Sequence, residues 1–128
     1  MAVRLVQNDL PPAARSFVEL VDGVPQVLGC LKRRDGTYAW SNEGFALRVG
    51  RDVDGVVGRT VADLFPADFA RSYAAQDERV LATGRPLQRH LELIVRTDRD
   101  IGWYVTSKSC VREMSGDPWG IAVLSFDL

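Results

Sequence analysis

Apolar positions first recur at helical spacing in ARSFVELV, where Phe17, Leu20 and Val21 share one face. Pro11-Pro12 opens this predicted helix and Asp22-Gly23 closes it. The pattern then changes in PQVLGCLKRRDGTYAWSN: an apolar run, the signal Arg34-Asp35-Gly36, then Tyr38-Ala39-Trp40. That is a β-hairpin, because Asp-Gly supplies the positive φ angles of a tight turn. Ser41 or Asn42 caps a short helix through Phe45 and Val49, closed by Gly50. RDVDGVVGRT reads as a loop, and Thr60 with Asp63 forms a capping box for VADLF, which Pro66 stops. Asp68 starts the longest helix, FARSYAAQDERVLAT, with Gly84 as its stop signal and Pro86 just beyond. Three strand-like segments, LQRHLELIV, GWYVTSKSCV and WGIAVLSFDL, close the chain across the turns RTDRD and REMSGDP.

The order is two strands, three or four helices, then three strands. Hairpin-connected strands around a helical insert predict an α+β fold, an antiparallel sheet with helices over one face. With 128 residues, 46% of them hydrophobic and 26% charged, the chain fits one domain with one core and room for an interior pocket.

A net charge of −1 removes the basic face that nucleic-acid binding requires. The short runs Lys32-Arg33-Arg34 and Arg96 with Arg99 are followed by acids and read as solvated turns. Cys30 and Cys110 are too few for a disulfide framework and sit in apolar runs, so buried free thiols are expected. No signal-peptide core and no apolar window of membrane-spanning length occurs, which sets the expectation of a soluble, cytoplasmic domain.

Enzyme signatures fail. A single histidine, His90, rules out histidine-pair metal sites, and no G-x-G-x-x-G, Walker or G-x-S-x-G motif is present. His90 reads as a strand-edge residue, Asn42 as a helix cap, and Trp40 and Trp119 as apolar bulk with an N–H to satisfy.

Five segments in order resemble the PAS family along nearly the whole chain: DGTYAWSNEGF, VVGRTVADLFP, QDERVLATGRPL, GWYVTSKSCV and GIAVLSFDL. The resemblance implies a five-stranded antiparallel sheet with helices on one face, with residues 1–23 as an N-terminal flanking helix and 24–128 as a PAS sensor domain. SYAAQDERVLATGRPL, LEL and GWYVTSK further resemble the PAS sensor placed ahead of an AraC-type helix-turn-helix domain in bacterial transcription regulators, which carry Pro where this chain has Cys110. No helix-turn-helix half is present in the chain. Flavin-adduct relatives need a cysteine on a helix and haem relatives a histidine on the long helix; neither is found, so no cofactor is expected.

In related PAS domains the tryptophan corresponding to Trp103 faces outward. Strand alternation then turns Tyr104, Thr106 and Lys108 toward the helices, with His90, Glu92 and Ile94 beside them and Ser125 on the last strand. Leu91, Leu93, Val95, Trp103, Val105, Leu124 and Phe126 fall on the outer face, too apolar for water, and predict a homodimer with the first helix. On the long helix Phe69, Tyr73, Val80 and Leu81 form the apolar stripe, and Asp77 falls on it. The candidate site is therefore Tyr73, Asp77, Glu92, Tyr104, Thr106, Lys108 and Ser125.

A hairpin centred near Arg99 sets Lys108 opposite His90 and diagonal to Glu92, within ion-pair reach of Glu92, Asp77 or both. Two outcomes stay open: a polar-lined pocket for a small, anionic molecule, or a buried ion-pair network that shuts the cavity. Correspondingly the function is a sensory domain, a dimerisation module with a filled core, or an isomerase-like enzyme using Asp77 or Glu92 as base. The last is disfavoured because Lys108 lowers the pKa such a base must raise.

Overall fold

The computed structural model describes residues 9–95 and 100–128. Helix α1 (Pro12–Val21) precedes β1 (Leu28–Arg33) and β2 (Tyr38–Ser41). Four helices follow, α2 (Glu43–Arg48), α3 (Val53–Val56), α4 (Val61–Leu64) and α5 (Ala67–Thr83), then β3 (Leu87–Val95), β4 (Ile101–Arg112) and β5 (Pro118–Asp127). The strands form one antiparallel sheet in the order β2-β1-β5-β4-β3. The expected α+β architecture is therefore found.

Local chemistry explains the punctuation. Asn42 accepts from the Phe45 N–H at 2.9 Å and the Gly29 N–H at 3.1 Å, while its amide donates to the carbonyls of Val24 and Val27 at 3.0 and 2.9 Å. One side chain thus caps α2 and ties it to the approach to β1. Gly44, in the first turn of α2, lies so close to this approach that an added Cβ would meet the Pro25 carbonyl oxygen at 2.3 Å. Thr60 and Asp63 form the expected capping box, and Gly84 ends α5 at φ 69°, a conformation glycine adopts without strain.

Two hydrophobic clusters sandwich the sheet. On the inner face Phe45, Leu64, Tyr73 and Val80 from the helices, with Phe65 just after α4, pack on Leu28, Cys30, Ile94, Tyr104, Ile121 and Val123. On the outer face Ala14, Val18 and Val21 of α1 pack on Leu31, Ala39, Trp40 and Val111. Among the described residues the indole N–H of buried Trp40 has no hydrogen-bond partner, and an edge-on Phe17 ring lies 6.2 Å away.

Three expectations are corrected. Leu20 does not share the packed face of α1 and is 76% exposed, because it lies about 100° round the helix from Val21. The stretch 51–60 is not wholly loop: Asp52 accepts from the Gly55 N–H at 2.7 Å and caps α3. In the β3–β4 ladder His90 faces Thr106, and an irregularity between Leu87 and His90 sets Lys108 opposite Leu87. Arg89 absorbs that irregularity at φ 52°. The shift at His90 is by two residues, so side chains keep their faces. Most of the turn RTDRD and the side chain of Val95 lie outside the described residues.

Candidate functional site

Lys32 on β1 and Lys108 on β4 flank β5, opposite Ile121 and Val123 respectively. Both point to the helical side, and each is only 4% exposed. Asp77 descends from α5 between them. Lys108 Nζ donates to Asp77 Oδ1 at 2.8 Å, and Lys32 Nζ pairs with Asp77 Oδ2. The two ammonium groups are further placed against aromatic rings, Lys32 5.3 Å from the centroid of Tyr38 and Lys108 5.9 Å from that of Tyr73. Burial pushes the Lys108 pKa down, and the Lys32 charge adds to that; Asp77 and Glu92 oppose it.

Beneath this network lies a cavity of about 40 Å³. Lys32, Lys108, Glu92 and Ser125 provide its polar lining, and Cys30, Phe45, Phe65 and Ile94 are among its apolar walls. A water needs roughly 10–15 Å³ measured this way, so the space holds about three. Burial raises the Cys30 thiol to about 12, although both lysines pull it down. Tyr73 also lines the cavity; its hydroxyl donates to the Leu93 carbonyl at 2.7 Å, and burial raises its pKa.

The structure thus brings together Tyr73, Asp77, Lys108, Glu92 and Ser125. Of the two partners expected for Lys108 it is Asp77 that pairs with it, while the Glu92 carboxylate accepts from Gln76 at 3.1 Å. Thr106 is buried and shares a 2.7 Å hydrogen bond with Ser125, one step behind the cavity wall. Tyr104 is inward and fully buried, but it belongs to another corner of the domain. There the Arg48 guanidinium lies 5.1 Å from its ring centroid and reaches Asp127 at 3.3 Å and Asp100 at 3.6 Å.

Lys32 is the residue that reading Lys32-Arg33-Arg34 as a solvated turn missed. Its signal is the period of two along LGCLKR, which puts Leu28, Cys30 and Lys32 on one face of β1. Cys110 is half-buried rather than buried, and both thiols are free. Among the described residues no cluster of His, Cys, Asp and Glu is placed to hold a metal, and no helix is long and apolar enough to cross a membrane.

The family model described as PAS fold matches residues 21–128. No curated protein matches the chain. Among solved structures, the Vibrio cholera VqmA–ligand–DNA complex is similar with a TM-score of 0.75 at 23% identity, over 87% of this chain and 50% of that one. A phage VqmA–DPO complex gives 0.75 at 24% identity, over 90% and 52%. The chain therefore spans about half the length of these VqmA proteins. A PAS domain in complex with ethanol, from a Burkholderia thailandensis LuxR-family regulator, gives 0.63 at 15% identity, over 86% and 96%. VqmA is described among LuxR-type receptors, whereas the sequence pattern resembled an AraC-type arrangement.

Proposed function

The chain belongs to the PAS family, and from that premise we propose that it is a sensory domain binding one small molecule in the cavity above β1, β4 and β5. The observation that carries this reading is the pair of buried lysines sharing one carboxylate at the edge of an apolar space. An apolar wall suits the body of a compact ligand, and the ammonium groups suit an anionic or acidic oxygen. Small-molecule complexes occur among its structural neighbours, VqmA with DPO and the Burkholderia domain with ethanol, which supports a sensory reading.

Signal output fits a homodimer through the outer sheet face, and the domain serves as the sensor part of a bacterial transcription regulator. It binds no nucleic acid itself and works in the cytoplasm. Catalysis is disfavoured, since a carboxylate held by two ammonium groups is a poor general base. The second reading, a dimerisation module with a filled core, is favoured by the ion-pair network that closes most of the interior.

Native mass spectrometry of the purified chain separates the two. The sensor reading expects a small co-purified mass that is released on denaturation and is absent from Lys108→Met. An apo mass for wild type, together with no thermal shift from any compound of a small-acid library, overturns it in favour of the filled core.

A further inference from the structure

The Lys32–Asp77 pair stands between two spaces. On its inner side is the cavity, whose wall includes Lys32, Lys108 and Cys30. On its outer side is a cleft of about 240 Å³ between the β1–β2 turn, α4 and α5, whose wall includes Lys32, Asp77, Ala62 and Ala74. Lys32 is common to both walls, and Asp77 reaches it from the cleft. The Asp77 side chain keeps 13% exposure, against 5% and 3% for those of Lys32 and Lys108. The cleft's own charges cancel, Lys32, Arg33 and Arg34 against Asp35, Asp77 and Glu78.

Resting on the reading of the cavity as a ligand site, we propose that the Lys32–Asp77 pair is its gate: a small monoanion enters through the outer cleft and takes Asp77's place on Lys32 and Lys108. The exchange conserves charge. Two ammonium groups hold one anion before and after, so neither lysine is left buried and unpaired. The released carboxylate turns toward the cleft and regains water, which offsets the dehydration of the incoming anion. A neutral or cationic entrant lacks this route, because displacing Asp77 would leave two uncompensated buried cations.

Cys30, on the inner wall, reports the gate without any knowledge of the natural ligand. In a Cys110→Ser background the probe is methyl methanethiosulfonate, with labelling followed by intact mass. Lys32→Ala is expected to raise the labelling rate at least tenfold. Electrostatics alone predicts the reverse, since the Lys32 charge lowers the Cys30 pKa and its loss would slow the thiol. Adding Ala62→Trp, on the exposed rim of the cleft, is expected to return the rate toward wild type. The rates should be insensitive to urea below the unfolding transition, which separates local opening from a destabilised fold. Sodium acetate, as the probe anion, is expected to slow wild-type labelling at least threefold relative to sodium chloride at equal ionic strength, and to have no such effect in Lys108→Met. The gate is overturned if Lys32→Ala leaves the rate unchanged, if Ala62→Trp does not reverse its effect, if urea drives the labelling, or if acetate behaves as chloride. None of these failures touches the cavity reading, which is decided by the co-purified mass together with the thermal-shift screen.

Discussion

Lys32 and Lys108, one on each strand beside β5, end on the two oxygens of a single carboxylate, that of Asp77. The arrangement ties α5 to two strands at once, and it makes the three residues unequal. Asp77→Asn leaves two buried ammonium groups facing each other without a counter-charge, and is expected to cost roughly 3–5 kcal/mol. Lys108→Met leaves Asp77 still paired with Lys32 and fills similar volume, so its cost should fall clearly below that. Urea unfolding of the two variants checks the order; equal losses would show that Asp77 does not hold both lysines.

Stability should fall steeply at alkaline pH, and Cys30 should be one cause. Its folded pKa is raised from 9.0 to about 12. Between those values the folded chain keeps a proton that the unfolded chain releases, so stability is full below pH 9 and is lost as pH rises through 12. The contribution reaches about a factor of ten in the folded-to-unfolded ratio per pH unit. Lys108, held below 10.5, acts in the opposite sense, since its folded form binds fewer protons than the unfolded form in that window. Cys30→Ser removes the first effect and keeps the second. Its stability, measured from pH 8 to 11, should decline more shallowly than that of wild type; parallel curves would refute the assignment.

What could be read from the sequence was local, and what could not was set by register or by position along an element. The Asp35-Gly36 hairpin, the Thr60/Asp63 capping box, the Asn42 cap and the Gly84 stop each need only a few neighbouring residues, and all are present. Strand parity also survived: Trp103 is 52% exposed while Tyr104, Thr106 and Lys108 are buried. The β3–β4 pairing did not, because RTDRD carries no glycine to fix a turn type and nothing near Arg89 announces its positive φ. Tyr104 faces the correct way, but β4 is 12 residues long and runs past the cavity to the Arg48 corner. Lys32 was hidden by its neighbours: Arg33-Arg34-Asp35 is a turn signal, and the last inward strand residue was counted with it.

Asn42 should be among the most sensitive positions in the domain. All four of its hydrogen bonds are made and it is fully buried. Asn42→Ala forfeits the helix cap, worth about 1 kcal/mol, and strands further buried backbone groups at about 1–3 kcal/mol each. A loss of at least ~3 kcal/mol is expected. Asn42→Asp should not rescue it, because the carboxylate accepts for the two N–H groups but faces the Val24 and Val27 carbonyls with no donor. Denaturant unfolding of both variants tests this, and a near-neutral Asn42→Asp would mean that the two carbonyls find other donors.

The outer sheet face should carry the dimer. Leu91, Val105 and Phe126 form one row across β3, β4 and β5, and Leu93 and Trp103 pair in the next. Helix α1 packs on Leu31, Ala39, Trp40 and Val111, toward the other side of the sheet, and leaves Leu91, Trp103 and Phe126 about half exposed. Leu20 projects from the solvent side of that same helix. A contiguous apolar surface of this kind, with the covering helix beside it, suits an isologous contact with a second copy, in which each Trp103 is buried by the partner's sheet. Trp103→Glu introduces a charge that the contact would have to desolvate, without disturbing the opposite face of the strand. Sedimentation equilibrium is expected to show a concentration-dependent dimer for wild type, weakened at least tenfold in Trp103→Glu, with unchanged unfolding of the monomer. A wild-type chain that stays monomeric at several hundred micromolar would leave this face without a partner of its own kind and would sink the homodimer.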